Sequence, residues 1–94
     1  MEFQDRTEEI QTLCERLVRA CGERKLESRR QGMGYVYVST PGGGMPSEIV
    51  RCHPNEDEAG ALYWYWSWGV PFCPGGDVDH AAKTIAHVVA PAHA

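Results

Sequence analysis

The segment Leu62-Tyr63-Trp64-Tyr65-Trp66-Ser67-Trp68 constrains this chain more than any other. Tyrosine and tryptophan at that density favour a β-strand, whose pleated surface suits broad rings. A strand turns successive side chains to opposite faces. Leu62, Trp64, Trp66 and Trp68 therefore share one face, and Tyr63, Tyr65 and Ser67 the other. Three tryptophans carry roughly 450–750 Å² of buriable surface, whereas the largest exposed patch of a typical monomer is roughly 300–600 Å². The tryptophan face must be covered. The expectation is that Trp64 and Trp66 lie in the core, that Trp68 is half exposed at the strand end, and that the tyrosine face points outward.

What could cover it is written at the two ends of the chain. Ile10, Leu13, Cys14, Leu17, Val18 and Cys21 recur with helical period. Asp5 or Thr7 is placed to cap this helix and Gly22 to end it. A second helix is expected after Asp77, its apolar side formed by Ala81, Ala82, Ile85, Ala86, Val88 and Val89. His80, Lys83, Thr84 and His87 form its polar stripe, and Pro91 stops it.

Between the helices the period is two. Leu26 to Gln31 is a weakly patterned strand, Tyr35 to Ser39 a strongly patterned one, and Ser47 to His53 a third ahead of the aromatic strand. Thr40 to Pro46 and Gly69 to Gly76 are rich in glycine and proline and are expected to be loops. Links this short permit only antiparallel neighbours. The predicted fold is therefore α+β and two-layered: an N-terminal helix, an antiparallel meander of three or four strands, and a C-terminal helix, with both helices on one face of the sheet. A single domain over residues 1–94 accommodates all of it.

Charge narrows the function classes. The net charge is −4, and hydrophobic and charged fractions of 43% and 23% fit a globular chain rather than a disordered one. Residues 1–30 hold seven acids and seven bases, whereas residues 31–94 hold six acids and only Arg51 and Lys83 as bases. Phosphate neutralisation dominates nucleic-acid binding, so an acidic chain is expected to bind none. The stretch Gly32-Met33-Gly34-Tyr35-Val36-Tyr37-Val38 partly matches an RNA-binding strand motif, but Met33 stands where an aromatic is needed. The basic cluster Arg24, Lys25, Arg29 and Arg30 suits a solvated helix end and turn, or an acidic partner. No apolar run is long enough to span a membrane, and the N-terminus lacks the pattern of a secretory signal, so a cytoplasmic protein is expected.

Catalytic chemistry finds little support. Cys14, Cys21, Cys52 and Cys73 form no paired spacing, and in a reducing compartment no disulfide is expected. Cys52, His53 and Cys73 match no zinc-site spacing, so neither a metal nor another cofactor is expected. Cys52 and His53 are adjacent on a strand and point to opposite faces, so they cannot act together. Gly42-Gly43-Gly44 lacks the Gly-Lys-Ser/Thr that completes a phosphate-binding loop. The chain is not expected to be an enzyme.

From about residue 50 onward, the strand Arg51-Cys52-His53-Pro54-Asn55-Glu56, the aromatic strand, the Val70-Pro71-Phe72 loop and the alanine-rich last helix resemble small uncharacterised actinobacterial α/β proteins. That resemblance implies a sheet-and-helix domain and carries no catalytic residue. The residues themselves point to two functions. In the first, a protein partner or a second copy of the chain binds the outer sheet face through Tyr35, Tyr37, Tyr63 and Tyr65. In the second, a small ligand enters an aromatic pocket between sheet and helices near Trp68 and Phe72.

Overall fold

The computed structural model of the protein describes residues 6–42 and 44–89. Helix α1 spans Thr7–Glu23; strands β1 Glu27–Arg30, β2 Tyr35–Thr40, β3 Gly44–Asn55, β4 Ala61–Tyr65 and β5 Pro71–Pro74 follow, and helix α2, Val78–Val89, closes the chain. A short 3-10 turn, Glu56–Glu58, lies between β3 and β4, where the Asn55 side chain accepts a hydrogen bond from the Asp57 N–H at 3.0 Å. The strands form one antiparallel sheet in the order β1-β2-β3-β4-β5. This is the expected two-layer α+β arrangement, with one strand more than the sequence suggests.

The layers follow from alternation along the strands. Val36, Val38, Val50, Cys52, Leu62, Trp64 and Cys73 are buried in one cluster with Leu13, Cys14, Leu17, Cys21, Ala81, Ala82, Ile85 and Val89 of the helices. Helix α1 packs over β1, β2 and β3, and α2 over β2, β3 and β5, with the helices also in contact. Ala81 and Ala82 of α2 share this cluster with Trp64, which is fully buried. The Trp64 Nε1–H donates to the Gly75 carbonyl at 3.0 Å, so the one polar group of the ring is satisfied inside the core.

Several boundaries differ from expectation for local reasons. Gly22 stays inside α1, and the stop comes three residues later, at Lys25, which adopts the left-handed conformation (φ 64°). The Leu26 N–H donates to the Cys21 carbonyl and the Lys25 N–H to the Gly22 carbonyl, the paired bonds of a Schellman motif. Buried Leu26 supplies the apolar residue that usually accompanies it. Arg6 occupies the N-cap of α1, Thr7 is its first residue, and Asp5 lies outside the described residues. At Asp77 the carbonyl accepts the first helical bond of α2, from Ala81. The stretch from Thr40 to Pro46 is mostly strand: β2 runs through Thr40 and β3 begins at Gly44, the two residues paired, Gly42 takes φ +90°, and Gly43 lies outside the described residues.

The segment Gly69 to Gly76 is also only partly a loop. Pro71–Pro74 pairs with β4 as the edge strand, where a missing N–H is tolerated on the outer side. Trp66 corrects the expectation of full burial. β4 ends at Tyr65, and Trp66 sits just beyond it, half-buried against the core cluster.

Gly75 holds this corner together. It is buried, its N–H donates to the Leu62 carbonyl at 2.7 Å, and a Cβ there would stand 2.9 Å from that oxygen and 3.1 Å from Leu13 Cδ1. The backbone would have to move, taking with it the acceptor of Trp64. We predict that Gly75→Ala costs about 1–3 kcal/mol and lowers Tm by roughly 5–20 °C. A variant melting within about 2 °C of the parent would contradict the packing described here.

Candidate functional site

The helices leave the other sheet face uncovered, and the strand register arranges its side chains in rows. Arg29, Tyr37 and Ile49 stand side by side on β1, β2 and β3. Tyr35, Arg51 and Tyr65 form the next row, and His53 and Tyr63 the third. The four tyrosines expected on this face are all there: Tyr35 is exposed, and Tyr37, Tyr63 and Tyr65 are half-buried by their neighbours.

Sequence reasoning missed the cations between them. The Arg29 guanidinium lies over the Tyr37 ring, 4.7 Å from its centroid, and the Arg51 guanidinium lies 5.7 Å from the Tyr35 centroid. These are cation–π distances. The basic cluster is thereby split between layers. Arg24 and Lys25 end α1, Arg29 joins the tyrosines, and Arg30 turns to the helix side to pair with Glu15 at 3.2 Å. Strict alternation in β3 carried the missed signal, because Ile49, Arg51 and His53 are the outward residues once Val50 and Cys52 are taken as core.

Arg51 Nη2 donates to His53 Nδ1 at 2.9 Å, and the His53 ring meets Tyr65 edge-on, with centroids 6.0 Å apart. The Tyr65 hydroxyl in turn donates to the Pro54 carbonyl at 3.4 Å. Arginine has only donors, so His53 Nδ1 must be the acceptor and the imidazole neutral, with its proton on Nε2. Partial removal from water and then the charge of Arg51 hold the His53 pKa below its usual 6.5, with Glu56 opposing.

Beside these rows, Trp66 stacks on Phe72 with centroids 4.0 Å apart and on Trp68 at 5.3 Å, the planes within 20° and 8° of parallel. Trp68 is 62% exposed, more than the half expected. The suggested pocket residues Trp68 and Phe72 are thus brought together through Trp66. A cavity of about 290 Å³ opens at this end of the sheet, bounded by Tyr35, Ile49, Arg51 and Tyr65 and by Trp66, Ser67 and Gly69 beyond β4. A larger groove of about 710 Å³ runs between α1 and β4, lined by Arg6, Glu8, Glu9 and Arg16 around Leu13 and Leu62. Its Arg6 is already engaged, by Glu9 at 3.0 Å and by the Gly60 carbonyl.

The cysteines lie on the far side of the sheet from these groups. All four are buried and unpaired. Burial raises the Cys14 thiol and pushes Cys21 and Cys73 up to about 11 and Cys52 to about 12. Each is therefore a neutral thiol at pH 7, and Cys52 is separated from His53 by the sheet itself. Among the described residues no three His, Cys, Asp or Glu side chains gather as a metal site would require. Among the described residues no helix is long and apolar enough to cross a membrane. The chain matches no protein-family model, no curated protein and no solved structure.

The His53 contacts give a pH dependence with a definite sign. A folded-state pKa below 6.5 means that the unfolded chain binds the proton more readily, so His53 subtracts from stability as pH falls through 6.5. Protonation also removes the acceptor of the Arg51 bond. We predict an NMR titration midpoint for His53 below 6.5, moving upward in Arg51→Gln. A parent midpoint at or above 6.5 would contradict the assigned tautomer and contact.

Proposed function

We propose that this is a non-catalytic cytoplasmic protein that acts by protein–protein interaction, with a second copy of the chain bound through the open sheet face. The observation that carries the reading is the uncovered face itself, with tyrosines, Ile49 and two arginines set in register. Tyrosine and arginine are the residues enriched at interfaces: they bring large area at low cost in side-chain freedom and keep a polar tip for a partner. A face shared by two copies makes a self-complementary contact, the commonest symmetry of small oligomers.

Charge and size set the strength of such a contact. The face presents Arg29 and Arg51 against Glu27, a small positive excess in a chain of net −4. Both guanidiniums already lie on tyrosine rings, which moderates their repulsion across a dimer axis. A stable dimer buries about 800 Å² per partner, and that requires nearly the whole of a five-stranded face. The expected association is accordingly weak. The buried, high-pKa thiols and the separation of Cys52 from His53 support a non-catalytic role, and four unpaired cysteines suit a reducing compartment. The acidic balance favours a protein over a nucleic acid as partner.

The test is light scattering on wild type and on a Tyr37→Glu, Tyr63→Glu double variant at about 100 μM, a concentration at which micromolar affinity populates the dimer. The expected result is a dimer mass for wild type and the 10.5 kDa monomer for the variant. A monomeric wild type would overturn the dimer. A variant that still dimerises would place the contact on another surface.

A further inference from the structure

The cavity beside Tyr35 has a composition that association alone does not explain. Its floor is the cross-strand row Tyr35–Arg51–Tyr65, and Trp66 and Ser67 form its wall past the end of β4. Arg51 is the only cation in its lining. Among the described residues it has no carboxylate within ion-pair distance, and its one hydrogen bond, through Nη2, goes to His53. The ε and η1 nitrogens keep donors with no acceptor among the described residues. A guanidinium presents its donors as a planar fork that matches a carboxylate two oxygens at a time.

The rest of the lining selects the remainder of the ligand. Tyr35 and Ile49 offer apolar surface, whereas the Trp66 ring is already stacked on both Phe72 and Trp68 and serves only as part of the wall. A volume of about 290 Å³ falls at the lower limit of the roughly 300–1,000 Å³ typical of ligand sites, so the body must be small. Charge limits it further. Ser67 is hydrogen-bonded to the Glu48 carboxylate at 3.4 Å, which sets a negative charge beside the rim, and the other arginine of the face lies over Tyr37 in the next row, outside the lining. One cation with unused donors beside one carboxylate suits a monoanion and disfavours a phosphate dianion.

We propose that this cavity binds a small organic acid in which a single carboxylate is attached to a planar apolar body, the carboxylate on Arg51 and the body against Tyr35 and Ile49. The cavity opens on the face assigned to the dimer, so a second copy of the chain would compete with the ligand for it. The larger groove along α1 lacks this combination, because its charges are of both signs and its Arg6 is already bonded.

Benzoate is the probe, titrated to about 10 mM and followed by ¹H–¹⁵N spectra at the Trp66 indole N–H and the Gly69 amide. For so small a ligand the expected dissociation constant is about 0.1–1 mM. Acetate lacks the apolar body and benzamide lacks the charge; each should bind at least about tenfold more weakly, as should benzoate to Arg51→Gln. A Tyr37→Ser, Tyr63→Ser variant alters no lining residue, adds no charge beside Arg51 and should retain benzoate binding whether or not it is monomeric, so failure of the dimer and failure of the ligand site read out separately. The proposal is overturned if neither wild type nor that double variant gives saturable shifts, if Arg51→Gln binds benzoate unchanged, or if either control ligand binds as tightly.

Discussion

Burial of Trp64 organises this molecule. An indole in the middle of a sheet removes about 4–6 kcal/mol worth of apolar area from water. It does so only if both sides of the strand are flanked and a lid is laid over the ring. β3 and β5 provide the flanks, and the packed pair of α1 and α2 provides the lid. The ring nitrogen adds a second requirement, an acceptor inside the core. The Gly75 carbonyl meets it, which fixes the path of the chain from β5 into α2 and leaves no space for a side chain at that position.

Surface electrostatics contribute on a smaller scale. The exposed pairs Arg6–Glu9 and Arg30–Glu15 belong to a class worth about 0–1 kcal/mol, and each arginine–tyrosine contact on the open face about 0.5–1 kcal/mol. These groups do not hold the fold, and their consequence lies in what the open face presents. An acidic chain places two arginines and a neutral histidine among four tyrosines on the one sheet face its helices do not reach. With two terminal helices committed to the tryptophan side, nothing in the described chain remains to cover the tyrosine side.

Much of this was legible in the residues, because alternation and helical period are local properties. The two faces of β4, the apolar stripe of α1 and the core positions of Cys14 and Cys21 all follow from spacing alone. What was not legible depended on partners distant in sequence. β5 looks like a loop because two of its four residues are proline, and only the edge position beside β4 makes them acceptable. Lys25 gives no sign of a left-handed cap, since the pattern favours glycine and Gly22 stands nearby. Trp66 continues the alternation perfectly, yet β4 stops one residue earlier and turns the ring into a stack with Phe72 and Trp68. Of the proposed site, the tyrosines were visible in sequence, whereas Arg29 and Arg51 gained their roles from cross-strand register.

The division into a covered and an open face is tested most directly by thiol reactivity, since all four cysteines lie on the covered side. Only a thiolate alkylates, and burial holds these groups above their usual pKa, Cys52 at about 12. Native protein exposed briefly to iodoacetamide at about pH 8, a pH at which an ordinary exposed thiol is partly ionised, should show no modified cysteine by mass spectrometry. The same protein in urea should show all four modified. Labelling of Cys52 or Cys73 in the folded protein would mean that the helices cover the other face.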